Sequence, residues 1–384
     1  MIPALLIGII SILISLIGAV SNPTRFFHSY LFSFMFWLDL PLGSLTLLMI
    51  YQLTGGTWGA ASRRIFEASA QTISMMAVLF LPILFGMHSI YPWLSTPMAL
   101  DPKIIHKASY LNSTGFIIRA IFYFACWIVL THFLKKWSNG IEEGQPIETR
   151  AKARSLSAGG LVLYVLTATF AAFDWQMSLE PKWYSTIYGM VFCTAQGLSA
   201  FAFGLIIFVW LTRRSEYAGL FPNKTKRDLG RLLLAMVMVW AYLSFMQFLV
   251  IWMGNLPEEA IWFIHRTHGG WQAIAIALIV LQFGLPFCAL LFRGTKDHLP
   301  ILRAVACLTF VIRIADHYWT IMPGLYPQHI ELHWQDATTL IGVGGLWFAA
   351  FLHHLRKQPI FATKDIDWPI EPNIEVRPRA YSHD

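Results

Sequence analysis

The sequence predicts an all-α membrane protein of about ten transmembrane helices, and three observations carry that prediction. Hydrophobic residues make up 56% of the chain and charged residues only 13%, where a soluble domain carries roughly a quarter charged. The apolar residues are gathered into long blocks, each near the roughly 20 residues that a helix needs to cross the hydrocarbon core. Lys and Arg fall almost wholly in alternate connections between those blocks, as the positive-inside rule requires of a multi-pass chain.

In order, the blocks run near residues 2–20, 30–53, 69–91, 112–134, 156–176, 185–211, 229–253, 267–292, 300–322 and 336–355. The first has no Lys or Arg before it and no clear small-x-small cleavage site, so it reads as an uncleaved helix and not a signal peptide. The second carries Asp39 and Pro41-Leu42-Gly43, a candidate break. The third opens at Glu67, with Gln71 one turn on, and closes near His88. Arg119 lies in the fourth, and the fifth ends in Asp174-Trp175-Gln176-Met177. Gln196 lies in the sixth. The seventh leads into Gly254-Asn255-Leu256-Pro257-Glu258-Glu259. A Pro and two Glu there suit the start of a short helix, with Trp262, Phe263 and Ile264 resting in the membrane interface. The eighth contains Gln282 and a second candidate break, Gly284-Leu285-Pro286; the ninth carries Arg313, Asp316 and His317. After the tenth, Pro359, Pro369, Pro372 and Pro378 predict an extended tail over 358–384. The integral membrane domain is therefore 1–357.

The net charge of +7 reports topology and not a nucleic-acid partner. Connections after odd-numbered helices hold only Arg25, Lys103, Lys107, Lys182 and Arg266, and Arg119 and Arg313 fall inside helices. The remaining 21 of 28 Lys and Arg lie on the other side. That split places both termini in the cytoplasm and checks the helix count, because a missed helix would scramble the alternation. Cys126, Cys193, Cys288 and Cys307 all sit inside apolar blocks without CxxC spacing, so disulfide, zinc and iron–sulfur frameworks are not expected.

A weak internal repeat is visible. Asp174 precedes Pro181 by seven residues and Asp316 precedes Pro323 by the same interval, on helices four apart in order. A parallel duplication would give two like-oriented four-helix bundles, helices 2–5 and 6–9, flanked by helices 1 and 10.

Ionisable residues inside spanning helices are costly and point to function or pairing. Asp39 lies about 13 Å into the second block at about 1.5 Å per residue. It is joined as a proton-path candidate by Glu67, His88, Arg119, Asp174, Arg313, Asp316 and His317. One reading pairs Asp39 with Arg119 and Arg313 with Asp316 as structural ion pairs, the latter at i,i+3 spacing. A second makes a polar path with Asp316 and His317 exchanging protons. A third is a pocket for a polar head group such as a quinone. His88, His132, His317, His353 and His354 form no convincing axial pair for haem. No GxxxxGKS/T, HExxH or nucleophile motif occurs, so neither a catalytic residue nor a metal site is expected in this chain.

Several segments together resemble one family. They are Phe173-Asp174-Trp175-Gln176-Met177-Ser178-Leu179-Glu180-Pro181-Lys182-Trp183-Tyr184-Ser185-Thr186, Ile251-Trp252-Met253-Gly254-Asn255-Leu256-Pro257-Glu258-Glu259 leading to Trp262, Asp316-x-x-Trp319 with Pro323, and Gly342-x-Gly344-Gly345-Leu346-Trp347. The chain resembles the ActF-type membrane subunits of bacterial alternative complex III, a quinol:cytochrome c oxidoreductase, within the NrfD/polysulfide-reductase membrane-subunit family. The resemblance covers the second to the tenth helix. It implies a subunit of the inner membrane beside a larger homologous NrfD-like subunit, an iron–sulfur protein and multihaem cytochrome c subunits. Haem c and iron–sulfur clusters would sit on those partners, quinol would be the substrate of the complex, and this chain would bind no cofactor. It would support proton translocation and assembly, with Asp39, Arg119, Asp174, Asp316 and His317 fitting a proton path, and could contribute to quinone binding. Another NrfD-type quinone-reactive subunit and a stand-alone secondary transporter remain as alternatives.

Overall fold

The computed structural model describes residues 1–95, 99, 101–142, 147–212 and 222–357, so the predicted tail at 358–384 lies outside the described residues. Among the described residues every regular element is helical. Ten spans follow in order. They are α1 (Ile2–Ser21), α2 (Pro23–Thr54), the interrupted α3 (Thr57–Ala70, Ile73–Leu79, Leu81–Phe85 and Met87–Ile90), α4 (Ser113–Glu142) and α5 (Ile147–Trp175). They continue with α6 (Tyr188–Thr212), α7 (Asn223–Gly254), α8 (Trp271–Ala277, a π-helical Leu278–Gly284, Leu285–Leu291), α9 (Leu299–Leu325) and α10 (Trp334–Arg356). Nine of them are long and apolar enough to cross a membrane. The other, α9, has the length, 27 residues, and carries Arg303, Arg313 and Asp316.

Hydrogen bonds between connections fix the up-and-down order. Arg25, just after α1, donates to the Glu331 carbonyl at 2.6 Å and to Asp336 at 2.5 Å, tying the α1–α2 and α9–α10 connections. Lys107 Nζ donates to the Pro181 carbonyl at 2.8 Å, and Trp183 Nε1 to the Glu259 carbonyl at 3.1 Å. The connections after α1, α3, α5, α7 and α9 thus meet at one end. At the other, Arg63 reaches the Ser138 carbonyl at 3.3 Å and Arg227 Nε donates to Asp297 at 2.5 Å.

α2 and α6 form the centre. Their most apolar windows are 89% and 72% buried, against 17% for α1, so α1 faces lipid while α2 is wrapped by protein. α2 packs against α3 and α5, and α6 against α7 and α9, giving the two four-helix groups that meet along the α2–α6 seam. α1 lies on α10, where Gly8 and Gly345 bring the two backbones together; a Cβ on Gly8 would stand 2.7 Å from the Leu346 nitrogen. α10 in turn packs on α2.

Three expectations about single helices change. α2 runs unbroken through Pro41, because the surrounding protein shields the freed carbonyl from lipid. Gly43 serves the seam instead, since a Cβ there would overlap the Gln196 carbonyl. The break foreseen at Gly284–Pro286 is a π-helical turn just before Pro286, where the missing amide hydrogen is absorbed by a wider turn. α3 begins at Thr57, well before the apolar stretch, so Glu67 sits inside a helical segment and does not open it.

Candidate functional site at the seam between the bundles

α2, α6 and α9 each bring polar side chains to one buried point. Asp39 of α2 is completely buried and its Oδ2 receives Ser199 Oγ of α6 at 2.8 Å. The same oxygen lies 2.7 Å from His317 Nε2 and 3.1 Å from Arg313 Nη2, both on α9. Arg313 Nε donates to Ser199 Oγ at 3.0 Å, and Nη1 is paired with Asp316 Oδ2. Two carboxylates therefore share one guanidinium, away from water, where an unbalanced charge is expensive.

His317 is placed to carry the balance. Its Nε2 stands between an acceptor, Asp39, and a donor, Arg313 Nη2 at 3.1 Å. A proton on Nε2 completes the bond to Asp39, and its absence completes the bond from Arg313. Among the described residues Asp39 Oδ1 and His317 Nδ1 have no hydrogen-bond partner, so each keeps a free site for one. The arrangement can hold or pass a single proton.

Asp316, His317 and Arg313 also border a cavity of about 710 Å³ within the second bundle. It lies among α6, α7, α8, α9 and the interfacial helix Pro257–Thr267, which forms where the Pro and two Glu predict. Its walls are largely apolar and rich in aromatic rings, including Phe192, Trp240, Phe245, Trp262, Phe283 and Trp319, with Gln247 of α7 among the polar groups.

The remaining sequence candidates lie elsewhere. The Asp39–Arg119 pair is not formed. Arg119 instead grips Asp174 with two bonds of 2.9 Å, while Tyr123 donates to Asp174 at 2.8 Å and Tyr110 stacks beneath the guanidinium. The reason is packing: α4 lies against α5, whereas Asp39 faces α6 and α9. Arg313–Asp316 does form, at its expected spacing. Glu67 is buried at the opposite end of the helices, held by Arg63 Nε at 2.8 Å and Arg64 Nη1 at 2.7 Å, with Ser138 donating as well. His88 is exposed at the end of α3 and joins no polar cluster among the described residues.

A second polar group escaped the sequence reading. Glu180, after α5, accepts from Arg266 Nη1 at 2.6 Å and lies 3.2 Å from His265 Nδ1. Arg266 stacks on Trp262 at 3.8 Å and donates to the Thr320 carbonyl at 2.6 Å, clamping the interfacial helix to α9 over the cavity. Burial pushes the Glu180 carboxyl up, but the Arg266 charge and the bonds from His265 and Arg266 outweigh it and hold it below the usual carboxylate range. Ser199 and Gln247 were also missed. A serine or glutamine in an apolar block carries no signal of its own; Glu180 alone had a nearby cue, in the run that includes Asp174.

No family model matches the chain, and no curated protein matches it.

Proposed function

We propose that this chain is an integral membrane subunit of a respiratory quinol:cytochrome c oxidoreductase, or of a quinol oxidoreductase with another acceptor, supporting proton translocation and assembly. It resides in the bacterial inner membrane with both termini cytoplasmic. Its partners are a larger NrfD-like subunit, an iron–sulfur protein and multihaem cytochrome c subunits, which carry the redox centres. The segments around Asp174, Pro257 and Trp319 support the family, and the buried Asp39–Ser199–Arg313–Asp316–His317 cluster carries the proton role. Few groups are kept charged inside a membrane protein without function, and here one imidazole decides between two bonding states.

The test is proton-to-electron stoichiometry of the complex in proteoliposomes. Asp39→Asn and Asp316→Asn should leave quinol oxidation intact and lower coupled proton release. An assembled complex with unchanged stoichiometry rejects the proton role, and loss of assembly assigns the cluster to structure. A second reading, a stand-alone secondary transporter, draws on the interrupted α3 and α8 and on the large cavity. Purification from native membranes separates the two, because only the respiratory reading expects haem and iron–sulfur proteins to accompany the chain.

A further inference from the structure

We infer that the end of the molecule opposite the interfacial helix carries a site for an anionic phospholipid, where α3 lies between α4 and α10. The site rests on neither the respiratory nor the transporter reading. The charge split predicts that it faces the cytoplasmic leaflet.

Three helices bring their charges together there. Lys135 of α4 donates to Gln71 of α3. Trp347 Nε1 of α10 donates to Thr72 Oγ1 of α3 at 2.9 Å, and His354 follows about two turns later on the same face of α10. The charges of Lys135, Lys357 and His354 act on one another, and those of Arg64 and Glu67 reach Lys135. Glu67 is already engaged by Arg63 and Arg64, and among the described residues no carboxylate pairs with Lys135 or Lys357. Four cations thus gather around one carboxylate, a surplus of three positive charges before any proton on His354.

Basic residues spread along the cytoplasmic ends of helices need no partner beyond water. These are not spread. Like charges brought to one place repel, and a shared anion relieves the repulsion. Lys135 is half-buried and keeps two donors beyond its bond to Gln71. His354 Nδ1 is buried with no partner among the described residues. The acceptor oxygens of a phosphodiester satisfy both, and basic pockets between spanning helices suit acidic head groups.

The surface beside the charges makes the anion a lipid. On the side of α3 turned away from α2, Ser74, Val78, Leu81 and Phe85 form one exposed stripe between α4 and α10. Their spacing of three and four residues keeps them on one face. The stripe runs for about 16 Å at about 1.5 Å per residue, close to half of a hydrocarbon core of roughly 30 Å. An acyl chain can lie along it with its head group at Lys135. A free phosphate would leave the stripe unused, and a zwitterionic lipid would leave the surplus charge unbalanced.

The full chain, purified in detergent and depleted of lipid, is titrated with dioleoyl phosphatidylglycerol, and retained copies are counted by native mass spectrometry. Saturable binding is expected, with dioleoyl phosphatidylcholine held far more weakly and an excess of inorganic phosphate failing to displace the lipid. Lys135→Gln and Lys357→Gln should each weaken binding about fivefold, the effect of one basic side chain on an acidic lipid. Arg231→Gln on α7 and Arg293→Gln between α8 and α9 remove the same charge from exposed positions at the same end, and should leave binding unchanged. Circular dichroism establishes that the variants are folded, and Lys357→Gln, at an exposed position, decides alone if Lys135→Gln is not. Equal retention of the two lipids, equal weakening by all four substitutions, or binding that ignores Lys135 and Lys357 overturns the proposal. So does displacement by phosphate, which makes the ligand a soluble anion, and so does the absence of saturable binding.

Discussion

Arg119 holds Asp174 through two parallel bonds of 2.9 Å, whereas Arg313 divides itself between Asp39, Asp316 and Ser199. The first is a closed pair. Asp174 is wholly buried and takes a third bond from Tyr123. Arg119→Ala strands that carboxylate and should destabilise the protein by about 3–5 kcal/mol, read as a lower thermal midpoint in detergent, with proton stoichiometry unchanged if the complex assembles. The second arrangement leaves a proton position undecided at His317, because one nitrogen faces both a donor and an acceptor. His317→Phe should therefore keep packing against Phe36 while lowering coupled proton release; unchanged release would show that the imidazole only fills space.

At the scale of elements, helix contacts depend on where side chains are small. Gly43→Leu at the α2–α6 seam has no room beside the Gln196 carbonyl and the Ala200 methyl. Overpacking of this kind costs about 1–3 kcal/mol or more, and SDS titration of the variant should show an earlier unfolding midpoint. Gly159→Leu, at a glycine with nothing near its Cβ position, is the control. The interfacial helix should respond to pH. The Glu180 carboxyl is held below its ordinary 4.5, so its contribution is complete above that value and fades as pH falls through the lowered one. The clamp formed with Arg266 should loosen on acidification below about 4.5, seen as faster amide hydrogen exchange across residues 257–267. In Glu180→Gln exchange there should already be fast at neutral pH, and the acid-dependent step should shrink. An unchanged step means another group causes it.

For the whole molecule, five connections gather at one end and four at the other, and the charge split predicts which end faces the cytoplasm. Reporter fusions in the connections after α4, α6 and α8 should give cytoplasmic signals, and fusions after α3, α5, α7 and α9 periplasmic ones. A single reversed pair breaks the ten-span topology. The same view explains how α9 carries Arg313 and Asp316 within its span: its polar face is spent on the seam and the cavity, and its neighbours keep that face from lipid.

Sequence alone determined the number of spans and their alternation, because hydropathy and loop charge are properties of short segments and need no knowledge of neighbours. It also determined the Arg313–Asp316 contact and the interfacial helix at Pro257, both set by spacing along one helix. It misplaced Arg119 and left His88 in the site, since residues on different helices meet only when the packing order is known. Ser199, Gln247 and Glu180 stayed invisible for the same reason: a small polar residue becomes part of a site through what faces it. The 710 Å³ cavity is the extreme case. It is made of the space left between five helices, and no stretch of sequence encodes an absence; only their tertiary arrangement decides where the walls fail to meet.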